Sequence, residues 1–98
     1  MNLNKPGIYI VSGGALKTGY KKIGKTTNIG GLRDRYNTVY GESCKIEYCL
    51  DDDIDTHEQE IHTALNEHHI ENELFNVNQN TAKNVCKEIT GAKTMKKI

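Results

Sequence analysis

Residues 7–24 read GIYIVSGGALKTGYKKIG and decide the architecture of this chain. The first six of these residues, mostly apolar and β-branched, are typical of a strand. Residues 13–19 predict a hairpin loop, because glycine adopts the backbone angles that tight turns require. Residues 20–24 predict the returning strand. The hairpin therefore puts Tyr9 and Lys22 on adjacent strands, where a phenol and an ammonium group are expected to approach one point.

Helices and one further strand follow the hairpin. Residues 32–40 predict a helix with Leu32, Tyr36 and Val39 on one face. Residues 45–50 alternate between apolar and polar and predict a third strand, and residues 54–68 predict a helix. Residues 70–77 predict a short strand or irregular segment with Leu74 and Phe75 in the core. Residues 80–90 predict a last helix, and residues 90–98 predict a frayed basic tail. We therefore predict an α+β fold in which a three-stranded antiparallel sheet is flanked by helices.

The length and composition predict a single intracellular domain. The 98 residues are expected to form one domain over 1–98, with a core over about 7–77. No apolar run reaches the roughly 18 residues of a membrane helix, and residues 1–6 lack the apolar segment of a signal peptide. The three cysteines have no metal-ligand spacing and are expected to be reduced thiols. The predicted location is the cytoplasm or nucleus, of a host cell if the source is viral, without membrane contact.

The charges are unevenly distributed although the net charge is zero. Residues 1–45 hold eight Lys and Arg against two acids, whereas residues 46–82 hold ten acids and no Lys or Arg. A basic first part is a reasonable electrostatic footprint for a phosphate backbone. The acidic middle argues against extensive, tight and nonspecific DNA binding by this chain alone.

Glu58 lies at the edge of the apolar stripe of the helix predicted over residues 54–68. With Ile61 placed at zero and a step of about 100° per residue, Leu65 falls near about 40° and Glu58 near about 60°. A carboxylate on the buried side of a helix costs free energy unless a metal ion or another cation satisfies it. The alternative is a boundary glutamate that reaches solvent.

Residues 19–26, GYKKIGKT, match the G-x-x-x-x-G-K-[ST] pattern of a phosphate-binding P-loop. A P-loop must follow a strand and open a helix, whereas the residues between these two glycines resemble a strand themselves. Asn28 and residues 30–31 (Gly-Gly) would interrupt the helix that has to follow. A parallel nucleotide-binding sheet also needs far more chain than this sequence has. Nucleotide binding is therefore a disfavoured alternative.

The tripeptides Gly7-Ile8-Tyr9 and Lys22-Ile23-Gly24 resemble the paired motifs of the GIY-YIG nuclease superfamily. The similarity is greatest to small viral and phage members in which the second motif reads K-I-G. Further matches follow in order over about residues 7–77: Leu32-x-x-Arg35-Tyr36, Glu58-x-x-Ile61-His62 and Glu73-Leu74-Phe75. The resemblance implies an antiparallel three-stranded sheet flanked by helices, and hydrolysis of DNA phosphodiester bonds with one metal ion.

The resemblance also implies roles for the residues of the hairpin and the first helix. Tyr9 would be the general base toward the attacking water. Lys22 stands where most relatives have a second tyrosine, and it would orient the water or contact phosphate. Either Arg33 or Arg35 would contact the scissile phosphate; Arg35 is preferred because apolar residues flank it as they flank the family arginine.

The second helix would contribute the metal ligand. Glu58 would bind one Mg²⁺ or Mn²⁺, a hard cation that keeps several waters, and the cation would stabilise the leaving 3′-oxygen. His62, one turn later, is sterically able to join Glu58 as a metal ligand, but a histidine in this position more often packs or forms a hydrogen bond. Tyr20 is a candidate to compensate for the missing second tyrosine, although packing is its more usual role.

Together these residues predict a metal-dependent DNA endonuclease of the GIY-YIG type. Because most such nucleases gain target choice from an attached module, this chain is expected to cut with low specificity, to form a homo-oligomer or to depend on a targeting partner. The alternative is a non-catalytic nucleic-acid-binding or adaptor domain of the same fold. Lys22 in place of tyrosine favours that alternative.

Overall fold

The computed structural model describes residues 3–98, which form a six-stranded antiparallel sheet and three α-helices. The strands are β1 (Gly7–Gly13), β2 (Tyr20–Thr26), β3 (Cys44–Leu50), β4 (His69–Glu71), β5 (Leu74–Asn76) and β6 (Lys96–Lys97). The helices are α1 (Leu32–Tyr40), α2 (Ile54–Ala64) and α3 (Gln79–Thr90), with short 3-10 turns at Ile29–Gly31 and Asn66–His68. The strand order across the sheet is β4-β5-β2-β1-β3-β6.

The predicted α+β class is confirmed, but the predicted three-stranded sheet is too small. β1, β2 and β3 are the three strands expected from the sequence. The hairpin of β4 and β5 extends the sheet beyond β2, and β6 pairs with β3 at the other edge. The three additional strands have only two or three residues each. The sequence allowed a short strand within residues 70–77, where β5 lies, but segments this short do not reveal which strand they pair with.

The register of β1 and β2 determines which side chains share a face of the sheet. Tyr9 pairs with Gly24, and Val11 pairs with Lys22. Because alternate residues of a strand point to opposite faces, Tyr9 and Lys22 lie on the face covered by α1. Ile10 points to the other face, which α2 and α3 cover.

The antiparallel pairing of β1 with β2 excludes the P-loop interpretation. Residues 20–26 form β2, so most of the matching residues lie inside the sheet and do not form a loop. A 3-10 turn, capped by the side chain of Asn28, separates this strand from α1. No helix N-terminus therefore follows the motif directly, as phosphate binding by a P-loop requires.

Two apolar clusters hold the helices against the two faces. The cluster under α1 comprises Tyr9, Val11, Ile29, Leu32, Tyr36, Cys44, Ile46 and Tyr48. The cluster under α2 and α3 comprises Ile8, Ile10, Ile23, Cys49, Ile61, Leu65, Phe75, Val77, Ala82, Cys86 and Met95. All three cysteines are buried free thiols.

Three local predictions are corrected by the structure. Val39 is 54% exposed, because Tyr40 stacks on Tyr36 one turn away and takes the packing position. Leu74 is only half-buried, whereas Phe75 is fully buried as predicted. The second helix ends at Ala64, four residues before the predicted end, and a 3-10 turn continues the chain.

The predicted fraying of residues 90–98 is also wrong. Gly91 ends α3 in the left-handed conformation, with φ of 78°, which glycine adopts without strain. Met95 is then buried in the core, and β6 pairs with β3. Within residues 3–98, no helix combines the length and apolar character that crossing a bilayer demands.

Candidate active site

The candidate site lies at the edge of β2 beside Gly24. A Cβ atom on Gly24 would lie 2.8 Å from Tyr9 Oη and 2.9 Å from Glu73 Oε1. These distances are too short for a real methyl group, so only glycine lets the phenol and the carboxylate approach the strand this closely. Tyr9 reaches this point from β1, and Glu73 reaches it from the turn between β4 and β5.

The Tyr9 side chain is buried against α1. It is 1% exposed, and its hydroxyl forms a 2.7 Å hydrogen bond with the hydroxyl of Tyr36. Burial raises the pKa of Tyr9 well above its ordinary value, and the Tyr36 hydrogen bond and the charge of Glu73 add to this, whereas Arg35 lowers it. The phenol is therefore protonated near neutral pH in this structure.

Lys22 forms an ion pair with Glu73. Its Nζ lies 2.8 Å from Glu73 Oε1, and the two side chains are 22% and 33% exposed. Burial lowers the pKa of Lys22, but the hydrogen bond to Glu73 and nearby groups raise it by more, so the net shift is upward. Lys22 is thus protonated and paired with the carboxylate of Glu73.

Glu58 approaches the same edge from α2, on the opposite face of the sheet from Tyr9. Burial raises its pKa, and the neighbouring carboxyl group of Glu73 adds to this, whereas His62 and Lys25 lower it. Its Oε2 atom is buried and has no hydrogen-bond partner within the described chain. Glu73 therefore lies close to both the predicted general base, Tyr9, and the predicted metal ligand, Glu58.

The two arginines left open by the sequence lie in different surroundings. Arg33 donates hydrogen bonds to the carbonyl oxygens of Cys44 and Ile98, each at 2.9 Å. Arg35 is exposed and lies over the ring of Tyr36, with Cζ 5.4 Å from the ring centroid. Arg35 is also the arginine whose charge lowers the pKa of Tyr9. Arg35 thus lies on the Tyr9 side of the site, whereas Arg33 forms a hydrogen bond with the C-terminal residue Ile98.

We expect the two arginines to differ in their effect on stability. Arg33→Ala should lower the free energy of unfolding by about 1–3 kcal/mol, because two carbonyl oxygens lose a charged donor. Arg35→Ala removes an exposed contact with an aromatic ring, worth about 0.5–1 kcal/mol. Urea unfolding of both variants measures the difference. A larger loss in Arg35→Ala would contradict the structural role given to Arg33.

His62 forms a hydrogen bond beside Glu58, the role that the sequence favoured over metal binding, and Tyr20 lies away from Gly24. His62 Nε2 donates a 2.8 Å hydrogen bond to the carbonyl of Ile23, so this nitrogen is not available as a metal ligand. Tyr20 lies at the start of β2, four residues from Gly24. The second phenol beside Tyr9 is supplied by Tyr36.

Sequence reasoning recognised the motif at residues 73–75 but gave Glu73 no role. Glu73 lies beside Lys22 because β5 pairs with β2, with Leu74 opposite Lys22. The sequence allowed a short strand within residues 70–77, but it gave no sign that this strand pairs with β2. The available signal was the position of Glu73 directly before the apolar pair Leu74-Phe75, in a motif that the sequence had already matched to the family.

The carboxylates of Glu58 and Glu73 suit a divalent cation. Two carboxyl groups in contact need a proton or a cation between them, and Glu58 Oε2 is an unpartnered buried acceptor. Among residues 3–98, no group of three or more His, Cys, Asp and Glu side chains is arranged to hold a metal. Two carboxylates match Mg²⁺ or Mn²⁺, which accept oxygen ligands and keep several waters, better than a fully protein-bound zinc.

A cleft of about 750 Å³ gives access to Glu58 from the side of α2. It is lined by Lys25, Asp55, Glu58, Gln59, His62, Thr63, Asn66 and His69. Lys25 forms an exposed ion pair with Asp55 at its rim. Tyr9, Lys22 and Arg35 do not line this cleft, so the two halves of the site open on different sides of the β2 edge.

Comparison with known proteins identifies the family. The family model of the T5orf172 domain matches residues 7–90, a range that contains every side chain of the site described above. No curated protein and no solved structure matches the chain significantly. The domain is of phage type and is consistent with a nucleic-acid-related function. The chain belongs to the T5orf172 domain family.

Proposed function

We propose that this protein is a metal-dependent endonuclease of the GIY-YIG type that hydrolyses phosphodiester bonds of DNA. The observation that carries the proposal is the meeting of Tyr9, Lys22 and the carboxylate of Glu73 beside Gly24, with Glu58 interacting with Glu73 from the other face of the sheet. Membership in the T5orf172 family supports a nucleic acid as the substrate. A DNA substrate would place the protein inside a cell.

Phosphodiester hydrolysis needs an oriented water, neutralisation of charge at phosphorus and help for the leaving oxygen. Tyr9 would orient the attacking water through its hydroxyl oxygen. Arg35, exposed beside it, would contact the phosphate through its fork of donors. Lys22 would add a second positive charge on the same face of the sheet.

Glu58 would hold the divalent cation, Mg²⁺ or Mn²⁺, through its unpartnered oxygen. A cation bound there supplies positive charge to the leaving 3′-oxygen. Burial raises the pKa of Glu58, and Glu73 adds to this, so the opposing effects of His62 and Lys25 compensate its ionised form only in part. Compensation of that charge is the chemical reason for assigning the cation to this residue.

Tyr9 can accept a proton only after its surroundings become more positive. Burial raises the pKa of Tyr9 most, the hydrogen bond to Tyr36 and the charge of Glu73 add to this, and the positive charge of Arg35 lowers it. A nearby cation would offset only the contribution of Glu73, so water must also reach the phenol before it can accept a proton. Tyr9 is therefore proposed to act as general base in the cation-loaded protein, and as a neutral hydrogen-bonding group otherwise.

DNA is the proposed partner, and target choice is assigned to self-association or to a targeting protein. The net charge of the chain is zero, and the acidic residues concentrate in residues 46–82. Phosphate contacts by Lys and Arg dominate DNA affinity. A chain with this distribution is expected to bind DNA weakly by itself.

Plasmid nicking tests the proposed function. Supercoiled DNA incubated with the protein and Mg²⁺ or Mn²⁺ should convert to the nicked or linear form, and EDTA should stop the conversion. Excess Mg²⁺ should restore it after EDTA, which distinguishes metal removal from damage to the protein. Binding of DNA without cleavage in either cation, with RNA also left intact, would contradict the proposal.

That contrary result would favour a non-catalytic nucleic-acid-binding module of the same fold. Two observations favour this second candidate: Tyr9 is almost inaccessible, and Lys22 is paired with Glu73 in the place of the second tyrosine. A binding module needs neither an accessible base nor a cation. The same plasmid preparation, analysed by gel shift, measures binding and cleavage together.

A further inference from the structure

We infer that Glu73 is a second ligand to the divalent cation and that Lys22 competes with the cation for its carboxylate. This inference rests on the proposed metal site at Glu58, which it extends by one residue. It also gives Lys22 a role that depends on whether the cation is bound. Glu73 is thereby assigned from its contacts in this structure.

The backbone around Glu73 is fixed against β2. The carbonyl of Glu73 accepts a 2.9 Å hydrogen bond from the amide of Ile23. The preceding Asn72 has φ of 46°, a left-handed conformation that asparagine tolerates, and this closes the turn between β4 and β5. The carboxylate is therefore held at the edge of the sheet by ordered backbone, as a preorganised ligand must be.

The Glu73 carboxylate interacts with both Lys22 and Glu58. Its Oε1 lies 2.8 Å from Lys22 Nζ, and its carboxyl group is close enough to Glu58 to raise the pKa of that residue. Two carboxylates in contact repel each other unless a proton or cation lies between them. Glu58 also keeps one buried oxygen without a partner. A divalent cation shared by both carboxylates would remove the repulsion and give the unpartnered Glu58 oxygen a partner.

Lys22 neutralises Glu73 while no cation is bound. A divalent cation on the Glu73 carboxylate would repel the ammonium group of Lys22, because two positive charges would then share one carboxylate. Cation binding would therefore weaken the ion pair between Lys22 and Glu73. Lys22 lies on the Tyr9 face, opposite Val11 in the β1–β2 register, so its charge would stay close to the proposed phosphate site.

Calorimetric titration with Mn²⁺ tests the inference without reference to cleavage. The wild type should bind one ion, Glu58→Gln should abolish binding, and Glu73→Gln should weaken it by at least tenfold. Lys22→Met should bind Mn²⁺ as tightly as the wild type or more tightly, because the competitor is gone. Glu71→Gln is the matched control, since Glu71 is exposed in the same hairpin and should leave the affinity unchanged.

Two results would overturn the inference while the metal site at Glu58 stands. One is loss of Mn²⁺ binding in Glu58→Gln with full affinity in Glu73→Gln. The other is equal weakening in Glu73→Gln and Lys22→Met, which would show that Glu73 acts only by holding Lys22. If the wild type binds no Mn²⁺, both this inference and the proposed metal-dependent function fail.

The wild-type protein provides a measurement that does not depend on any variant folding. In crystals soaked with Mn²⁺, the anomalous signal should lie about 2.0–2.6 Å from carboxylate oxygens of both Glu58 and Glu73, the usual range for hard cations. A signal within that distance of Glu58 alone would overturn the inference.

Discussion

Glu58→Gln is expected to lower metal-dependent DNA cleavage by about 10²–10⁴-fold, since the charge stabilisation of a bound cation is worth several kcal/mol in the transition state. Glutamine keeps the size of the side chain but has no negative charge to offer the cation. The measurement is the rate of plasmid nicking at saturating Mg²⁺ and again at saturating Mn²⁺.

The stability of the same variant should move in the opposite direction or not at all. Glu58 is a partly buried carboxyl group in contact with Glu73, with one oxygen unpartnered. Removing its charge removes repulsion and a desolvation cost, so the free energy of unfolding without metal should stay equal or rise. A loss of activity together with retained stability separates a functional residue from a structural one.

Glu60→Gln is the matched control for Glu58→Gln. Glu60 is exposed on the same helix, two residues away, and its charge change is identical. Its cleavage rate should remain within about twofold of the wild type. If Glu58→Gln also retains activity within that range, Glu58 is not the metal ligand, and any observed cleavage has another source.

The central hairpin was predictable because its local signals agree with one another. Apolar β-branched residues, a glycine loop and a returning strand all specify the pairing of residues 7–12 with 20–24, and the observed strands extend to Gly13 and Thr26. The periodicity of residues 54–68 likewise placed Glu58 at the edge of an apolar stripe, and Glu58 is partly buried in the structure. These features depend on near neighbours in the chain.

The remaining parts of the site depend on contacts between distant segments. Glu73 meets Lys22 only because a three-residue strand pairs with β2, and Tyr36 meets Tyr9 only because α1 packs on one particular face. Neither contact leaves a periodic pattern in the sequence. The choice between Arg33 and Arg35 was equally open, since it depends on carbonyl groups of Cys44 and Ile98 that lie far along the chain.

The sheet edge at Gly24 explains how residues of opposite faces are brought together. Tyr9 belongs to the α1 face and Glu58 to α2 on the other face, so a continuous sheet would separate them. β5 ends its pairing at Lys22, which leaves the edge of β2 beside Gly24 uncovered by that strand. Glu73 lies at this uncovered edge, close to both Tyr9 and Glu58. The short length of β5 is therefore a condition for the site.

Tyr9→Phe is expected to lower the cleavage rate by about 10²–10⁴-fold, the usual contribution of a general base. Tyr36→Phe is the matched control, because both variants remove the same 2.7 Å hydrogen bond but only the first removes the phenol oxygen beside Gly24. Each substitution should lower the free energy of unfolding by about 1 kcal/mol, the net value of one hydrogen bond.

The comparison of these two variants distinguishes catalysis from packing. If Tyr9 takes the proton of the attacking water, kcat falls sharply in Tyr9→Phe, whereas Tyr36→Phe loses less than about tenfold. Equal losses in the two variants would show that the hydrogen bond between the hydroxyls matters and that Tyr9 is not the base. Urea unfolding of both proteins ensures that the comparison is made between folded variants. Since burial raises the pKa of Tyr9 in this structure, a large effect confined to Tyr9→Phe would also require the surroundings of the phenol to change when cation and DNA bind.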